Sequence, residues 1–370
     1  MRNDEQWMAQ ALALAQRGLG RTWPNPTVGC VVVAEGRLIG LGWTQPGGKP
    51  HAETQALERA KVAGLGAALR GATAYVTLEP CAHHGKTPPC ADALIAAGIA
   101  RVVCAIEDPD PRMRGAGFER LRAAGIAVTI GPGAAQAADI NAGFFMHLTA
   151  KRPLLSLKLA TSLDGRIALA SGQSRWITGE MARQHGHMQR AQHDGLMIGI
   201  GTVLADDPML DCRLPGYAGR QPVRIVIDGK LRLLPSTKLV KSARQQPLWL
   251  FTGPIADKPA AQALREAGVE LIETPVAAGR PDLAACLRVL GERGMTRVLA
   301  EGGAKLAASL LEADLVDRLA WYRAPSVLGA DAAAGVAPLH LDRLAEAKRF
   351  RRAALQMLGG DVLETLVRHH

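Results

Sequence analysis

Three residues of the kind that hold zinc, spread over forty positions, constrain this chain more than anything else in it. They are His51 in His51-Ala52-Glu53, Cys81 in Pro80-Cys81, and Cys90. A fold that uses all three must bring separate stretches of backbone to one point. Zinc with three protein ligands keeps a fourth position open for water, as catalytic sites do, whereas structural sites carry four ligands. His83 and His84 lie between the cysteines and could supply a fourth ligand, but the glycine and prolines around them read as a substrate loop. Glu53 stays outside the ligand set. Two residues apart on a helix, His51 and Glu53 do not stack on one face, so one can bind a metal while the other points at its water.

The local patterns support that convergence. Helical spacing runs from His51 to Val62, entered through Gly47-Gly48-Lys49-Pro50. Thr73 to Leu78 reads as a strand ending at Glu79-Pro80, so Cys81 follows a strand end, and Cys90 opens a helix over 91–97. Helix N-termini favour negative charge and hence thiolates. Two thiolates and a neutral imidazole cancel the charge of Zn²⁺, which leaves the metal a weaker acidifier of water than three imidazoles would. A carboxylate must then share the proton work, and Glu53 is placed for it.

Elsewhere the first 150 residues alternate helix and strand. Glu5–Gln16 and Gly117–Ala124 read as helices, Val28–Val33 and Arg37–Gly42 as a hairpin, and Ala100–Ile106 and Ile126–Ile130 as strands. Such alternation argues for an α/β layer fold. The pattern resets between Asn141 and Pro153, which divides the chain into domains 1–148 and 149–370. The second opens at Leu154–Ala160 and continues with a helix over Glu180–His193. Strands follow at Leu196–Ile200, Val223–Ile227, Pro247–Phe251, Val269–Ile272 and Arg297–Ala300, with helices at Pro259–Ala267, Leu283–Arg293 and Ala304–Glu312. It is a second α/β domain. With 48% hydrophobic but only 4% aromatic residues, both cores are aliphatic.

The net charge of +10 points to anionic partners, but the cations are scattered. Scattered charge suits a phosphorylated small molecule, and the aromatic platforms that nucleic-acid binding needs are scarce. Six cysteines are few for 370 residues, and Cys30 and Cys104 sit in apolar runs as core thiols, which suggests a reducing compartment. The polar N-terminus is no signal peptide, and no uncharged apolar stretch reaches membrane-spanning length. A cytoplasmic protein without membrane partners is expected.

His-x-Glu followed by Pro-Cys-x-x-Cys marks the zinc nucleobase deaminases. Here eight residues, not two, separate Cys81 from Cys90. Thr22-Trp-Pro-Asn-Pro-Thr-Val-Gly29, His51-Ala-Glu53 and Thr77-Leu-Glu-Pro-Cys-Ala-His-His-Gly-Lys-Thr-Pro-Pro-Cys90 resemble the bifunctional riboflavin-biosynthesis deaminase/reductase family, in which the long loop is usual. The resemblance implies a cytidine-deaminase-like three-layer N-terminal domain, zinc ligands His51, Cys81 and Cys90, and Glu53 as proton shuttle. It also implies that Asn25, His83 and Lys86 contact the substrate, 2,5-diamino-6-ribosylamino-4(3H)-pyrimidinone 5′-phosphate, whose 2-amino group is removed. A lysine suits its phosphate, and His83 can hydrogen-bond the pyrimidine.

The resemblance continues through Leu157-Lys-Leu-Ala-Thr-Ser-Leu-Asp-Gly-Arg166, Ser174-Arg-Trp176, Gly199-Ile-Gly-Thr202 to Pro208, and Glu301-Gly302-Gly303. It implies a dihydrofolate-reductase-like α/β domain that uses NADPH to reduce the ribosyl group to ribityl. Ala160, Trp176, Thr202, Asp206, Gly229, Gly302 and Gly303 would hold the cofactor. Ser174, Arg190, Leu210, Arg213 and Glu301 would hold the substrate, with Lys158, Asp206 and Glu301 as candidates for polarisation and proton handling. Read on its own, Gly199-x-Gly201 lacks the third glycine of the dinucleotide fingerprint, since Leu204 stands there. Glu301-Gly302-Gly303 is a strand-to-helix turn whose free amides can hold a phosphate, and Arg190 and Arg213 offer planar donor forks. Gly229 stands where the family often has a serine at the cofactor's 2′-phosphate; Lys230 or Arg232 could substitute. His185, His187 and His193 read as a solvated helix face rather than a metal site. A homo-oligomer, dimer or tetramer, is expected. The rival reading is a nucleic-acid base deaminase with an unrelated C-terminal module, which predicts RNA binding with steep salt dependence and no consumption of NADPH.

Overall fold

The apolar runs lay out two main sheets, of five and nine strands. The computed structural model describes residues 3–83, 88–111, 113–277 and 279–369. Its contacts divide the chain into Met1–Ala150 and Lys151–His370.

The first unit runs α1 (Asp4–Ala15), β1 (Gly29–Ala34), β2 (Arg37–Trp43), α2 (Ala52–Val62), β3 (Thr73–Val76), α3 (Cys90–Ala96), β4 (Arg101–Cys104), α4 (Ala116–Ala123), β5 (Ala127–Ile130) and α5 (Ala134–Ala150). The sheet order is β2-β1-β3-β4-β5. β1 is antiparallel to β2 and β3, while β3, β4 and β5 are parallel. β1 reads as an unbroken apolar run because both its faces are covered. Val31 and Val33 pack with Trp7, Met8 and Leu12 of α1 and Ile140 of α5, and Cys30 and Val32 pack with α2, α3 and α4 through Ala56, Leu94 and Leu121. The layers are therefore helix, sheet, helix. α5 is a departure from the sequence pattern, which reset at Asn141: one helix runs unbroken through 141–150. Asn141 is tolerated inside it because its buried amide accepts from Thr27 N (3.0 Å) and donates to Thr27 O (3.1 Å).

The second unit begins with β6 (Leu154–Thr161), β7 (Arg166–Ala168), α6 (Glu180–Ala191), β8 (Gly195–Gly199), α7 (Ile200–Asp206), β9 (Val223–Ile227), α8 (Lys238–Lys241), β10 (Leu248–Thr252), α9 (Lys258–Glu266) and β11 (Glu270–Glu273). It continues with β12 (Val276–Ala277), β13 (Arg280–Pro281), α10 (Leu283–Glu292), β14 (Arg297–Ala300), α11 (Ala304–Glu312), β15 (Arg318–Arg323), β16 (Ala333–Ala334), β17 (Phe350–Leu358) and β18 (Asp361–Arg368). Nine strands form one sheet in the order β11-β10-β9-β8-β14-β6-β15-β18-β17. The strands from β11 to β15 are parallel; β18 and β17 close one edge as an antiparallel hairpin. In open parallel sheets ligands bind beyond the carboxyl ends of the strands. β8 and β14 are neighbours there; β8 runs directly into α7, and β14 reaches α11 through the turn Glu301-Gly302-Gly303. Among the described residues no helix is long and apolar enough to cross a membrane.

Candidate active sites

In the first unit the three stretches do meet. His51 is the N-cap of α2 in extended backbone, one position before the helix rather than within its first turn. Cys81 follows the loop that leaves β3, and Cys90 begins α3. One ligand atom from each of His51, Cys81 and Cys90 lies within 4.8 Å of the others. His51 Nδ1 is 3.2 Å from Cys90 Sγ and 3.7 Å from Cys81 Sγ. The Cys90 amide donates to Cys81 Sγ at 3.3 Å, so the start of α3 faces a thiolate. Two sulfurs and an imidazole this close fit a zinc ion with one position open.

The charges follow from that proximity. The Cys90 thiol beside it lowers Cys81 to about 4, against burial and with help from His51. The same shared proton raises Cys90, and Cys81 raises His51. Glu53 is only 4% exposed; burial first, and the Cys81 charge second, push it up to about 7.

The surrounding loops are tied to this centre. Arg120 of α4 pairs with Asp92 of α3 (2.8 Å) and donates to Ala82 O (3.4 Å), which anchors the chain beyond Cys81. Asn25 donates to Thr22 O and Gly47 O, both at 3.3 Å, and so braces the loop that leads into His51. His83 is exposed. Lys86 and His84 lie outside the described residues. Glu79, which the sequence reading passed over, is buried and accepts from three amides: Asp108 (3.1 Å), Gly115 (3.0 Å) and Gly117 (2.8 Å). It joins the 108–117 segment to the strand end that carries Cys81. Its only trace in the sequence is its place beside Pro80-Cys81.

In the second unit Lys158 on β6, Arg190 on α6 and Glu301 after β14 come together. Arg190 holds both carboxylate oxygens of Glu301, at 2.7 and 2.8 Å, and Lys158 Nζ stands 3.8 Å away. Burial alone would push Glu301 up; the Arg190 and Lys158 charges overcome it and hold the carboxyl at about 2. Arg190 also donates to Asp211 O at 2.9 Å, which draws in the segment with buried Leu210. Arg213 pairs loosely with Asp211 (3.4 Å), and its side chain is 62% exposed.

Of the cofactor candidates, Thr202, Gly302 and Gly303 lie at the ends of β8 and β14. Gly303 N donates to Thr202 Oγ1 at 3.2 Å and so joins the starts of α7 and α11. A Cβ at Gly302 would stand 2.7 Å from the Leu306 side chain, so only glycine fits this turn. Adjacent glycine-lined helix starts at strand ends are a fit for a dinucleotide phosphate. Ala160 is partly buried beside Tyr322, and Gly229 packs so close to Pro281 that a Cβ would be 2.8 Å from it. Arg232 lies 3.7 Å from buried Asp228. Ser174 and 69%-exposed Trp176 precede α6, and Asp206 ends α7 exposed. No hydrogen bond or ion pair among the described residues joins these three to Lys158, Arg190 and Glu301.

Of the three histidines, His185 on α6 and His193 just past it are turned away from solvent, while His187 is half-buried and accepts from Arg213 N at 3.3 Å. His193 is 3% exposed, bonds Ser156 Oγ at 3.0 Å and Gln189 O at 2.6 Å, and burial lowers it to about 3. His185 shares a 2.7 Å hydrogen bond with Tyr322. Both look onto the sheet, because the helix covers the polar side chains of β6 and β15.

Residues 153–363 match the RibD C-terminal domain, and residues 1–106 match the cytidine and deoxycytidylate deaminase zinc-binding region. The riboflavin biosynthesis protein RibD of Escherichia coli (strain K12) is 42% identical over 377 residues, which cover 98% of this chain and 99% of that one. The chain belongs to the RibD family. RibD of Aquifex aeolicus (strain VF5) is 39% identical, covering 97% of each chain. Among solved structures, Acinetobacter baumannii RibD, form 1, superposes with a TM-score of 0.87 at 38% identity, over 99% of both chains. A Thermotoga maritima diaminohydroxyphosphoribosylaminopyrimidine deaminase/5-amino-6-(5-phosphoribosylamino)uracil reductase does so with 0.86 at 35%, again over 99% of both. As a RibD protein the chain is a bifunctional enzyme of riboflavin biosynthesis, a deaminase and a reductase in one polypeptide. Its cofactors are zinc and NADPH. The rival reading of an unrelated C-terminal module falls, because the RibD match spans nearly all of the second unit.

Proposed function

We propose that the first unit replaces the 2-amino group of 2,5-diamino-6-ribosylamino-4(3H)-pyrimidinone 5′-phosphate with oxygen from water, and that the second reduces the ribosyl group of the product. The observation that carries the reading is His51, Cys81 and Cys90 within 4.8 Å of one another, with buried Glu53 beside them. Zinc, when bound by these side chains, supplies Lewis acidity and an acidified water. Glu53 takes a proton from the attacking water and delivers protons to the ring nitrogen and to the departing ammonia. Asn25, His83 and Lys86 hold the substrate, Lys86 at the phosphate.

In the second unit NADPH, when bound, supplies the hydride that C1′ receives. Ala160, Trp176, Thr202, Asp206, Gly229, Gly302 and Gly303 hold it. As the C1′–O bond of the ribosyl ring breaks, Lys158 gives a proton to the ring oxygen. Glu301 stays ionised under Arg190 and orients Lys158, which leaves solvent-facing Arg213 as the phosphate contact, with Ser174 and Leu210 along the sugar. Two further readings accompany this one. The enzyme is cytoplasmic, supported by six free cysteines. It is a homo-oligomer, supported by edge strand β17, where residues 351–357 are all exposed and include Leu355 (61%) and Met357 (62%). An edge of that kind offers unpaired backbone and apolar side chains to a second copy.

The test is Glu53→Gln. Zinc should be retained while ammonia release falls by roughly 10²–10⁴-fold, the range for a general acid–base group. Undiminished release would remove Glu53 from the reaction. Lys158→Ala should spare ammonia release and block NADPH oxidation; equal loss of both would overturn the division of labour between the units.

A further inference from the structure

The reductase cluster has one cation more than it has anions. Arg190 takes both oxygens of Glu301, and Lys158 Nζ, at 3.8 Å from Oε2, is beyond hydrogen-bond range. Glu301 therefore does not fix Lys158 by itself. The second contact is Tyr322: Lys158 Nζ lies 5.7 Å from the centre of its ring, within reach of an attraction between a cation and an aromatic face. The register brings the two side chains within reach as diagonal neighbours. Ala320 pairs opposite Lys158 and Tyr322 opposite Ala160, so the four side chains share a face of the sheet. Above them α6 presents Gly186, and a Cβ there would come 3.9 Å from Lys158 Cε.

Tyr322 is itself immobilised. It is 1% exposed, packs with Ala182, Leu358 and Leu363, and its hydroxyl shares the 2.7 Å bond with His185 Nδ1. Burial lowers His185 and raises Tyr322, so neither adds a charge to the cluster near neutral pH.

We propose that His185 and Tyr322 are positioning residues for the reduction: His185 locks the Tyr322 ring, and the ring holds the Lys158 ammonium beside Glu301 without letting it close onto the carboxylate. Without the ring, Lys158 moves into contact with Glu301, and the donor that the substrate needs is occupied. The inference rests on the assignment of Lys158 to proton handling.

The experiment uses the full-length enzyme and four variants: Tyr322→Leu, Tyr322→Phe, His185→Leu and His185→Gln. For each, kcat and KM of NADPH oxidation, NADPH affinity by fluorescence, thermal midpoint and ammonia release are measured. Tyr322→Leu should lower kcat of the reduction about tenfold, or ~1.4 kcal/mol, with NADPH affinity and ammonia release unchanged. Tyr322→Phe keeps the ring face that a cation binds but loses the hydroxyl that His185 holds, so its kcat should fall as in His185→Leu and less than in Tyr322→Leu. His185→Leu should lower kcat and His185→Gln, which can still bond the hydroxyl, should restore it. Parental kcat in Tyr322→Leu overturns the inference, as does equal loss in the Leu and Phe variants accompanied by weaker NADPH binding, the mark of a merely structural role. Should Tyr322→Leu fail to fold, the His185 pair decides: identical kcat in His185→Leu and His185→Gln overturns it. Lys158→Ala separates the two levels. Retained reduction there sinks the assignment of Lys158 and this inference with it; lost reduction there, with parental rates in all four other variants, sinks this inference alone.

Discussion

Arg190→Met tests the electrostatics of the cluster formed by Lys158, Arg190 and Glu301. Glu301 has its carboxyl at about 2, against an ordinary 4.5. A depression of roughly 2.5 units at ~1.36 kcal/mol each corresponds to about 3 kcal/mol of folding stability, as an order of magnitude. The side chain is only 9% exposed, so solvent screens little of it. Because the folded value lies below the unfolded one, this contribution is fully present above pH 4.5 and disappears as pH falls towards 2. Removing Arg190 reverses the balance. The carboxylate is left with Lys158, which at 3.8 Å makes no hydrogen bond, and burial, the largest influence on Glu301, then raises its pKa. Taking one partner from a buried pair costs about 3–5 kcal/mol, in agreement with the first figure.

The variant should therefore lose about 3 kcal/mol near neutral pH and regain part of it on mild acidification, as Glu301 takes up a proton. The parent shows no such gain from this group. Hydrogen exchange of amides in β6 and β14, followed by mass spectrometry at about pH 7 and about pH 5.5, reads the second unit separately from the first. Adding Glu301→Gln to Arg190→Met should recover most of the loss, since the uncompensated charge is gone. Parental protection in Arg190→Met, or a deficit that deepens on acidification, would refute the reasoning.

Three further outcomes follow from single contacts. Glu79→Ala strips the acceptor from three amides, each unmet buried donor costing about 1–3 kcal/mol; zinc should dissociate more readily into a competing chelator, and unchanged zinc affinity would show that the 108–117 segment does not brace Cys81. Gly302→Ala puts a methyl 2.7 Å from the Leu306 side chain, and should raise KM for NADPH with ammonia release intact, as steady-state assays of both reactions will show. Leu355→Glu with Met357→Glu on β17 should shift the molar mass by light scattering to that of a single chain without unfolding it, because both side chains already face solvent.

How much of this was legible in the sequence depended on where the information resides. The convergence of His51, Cys81 and Cys90 was readable because His and Cys carry their chemistry in their identity, and because strand ends and helix starts are local signals that place them. β1 was readable because burial on both faces leaves an unbroken β-branched run. α5 was not, since Asn141 looks like a break until Thr27, distant in sequence, satisfies its amide. The β17–β18 hairpin was missed for the opposite reason: residues 351–357 are exposed on both faces, so no alternation marks a strand. Glu79 is invisible because its three partners are backbone amides, which leave no residue signature.

The misreading of α6 is the most instructive. An amphipathic helix is expected to put apolar residues inward and polar ones outward. In α6 Met181 and Met188 are exposed, 55% and 37%, while His185, Arg190 and, just beyond the helix, His193 face the sheet. The inversion has a cause in the partner surface. That face of β6 and β15, with the turn after β14, carries Ser156, Lys158, Tyr322 and Glu301, a polar surface that apolar side chains could not satisfy. Local rules fail where function overrides packing, so a helix whose polar stripe faces the sheet and whose methionines face solvent is itself a pointer to the site beneath it. For this chain it points to the reductase cluster, which no dinucleotide fingerprint announced.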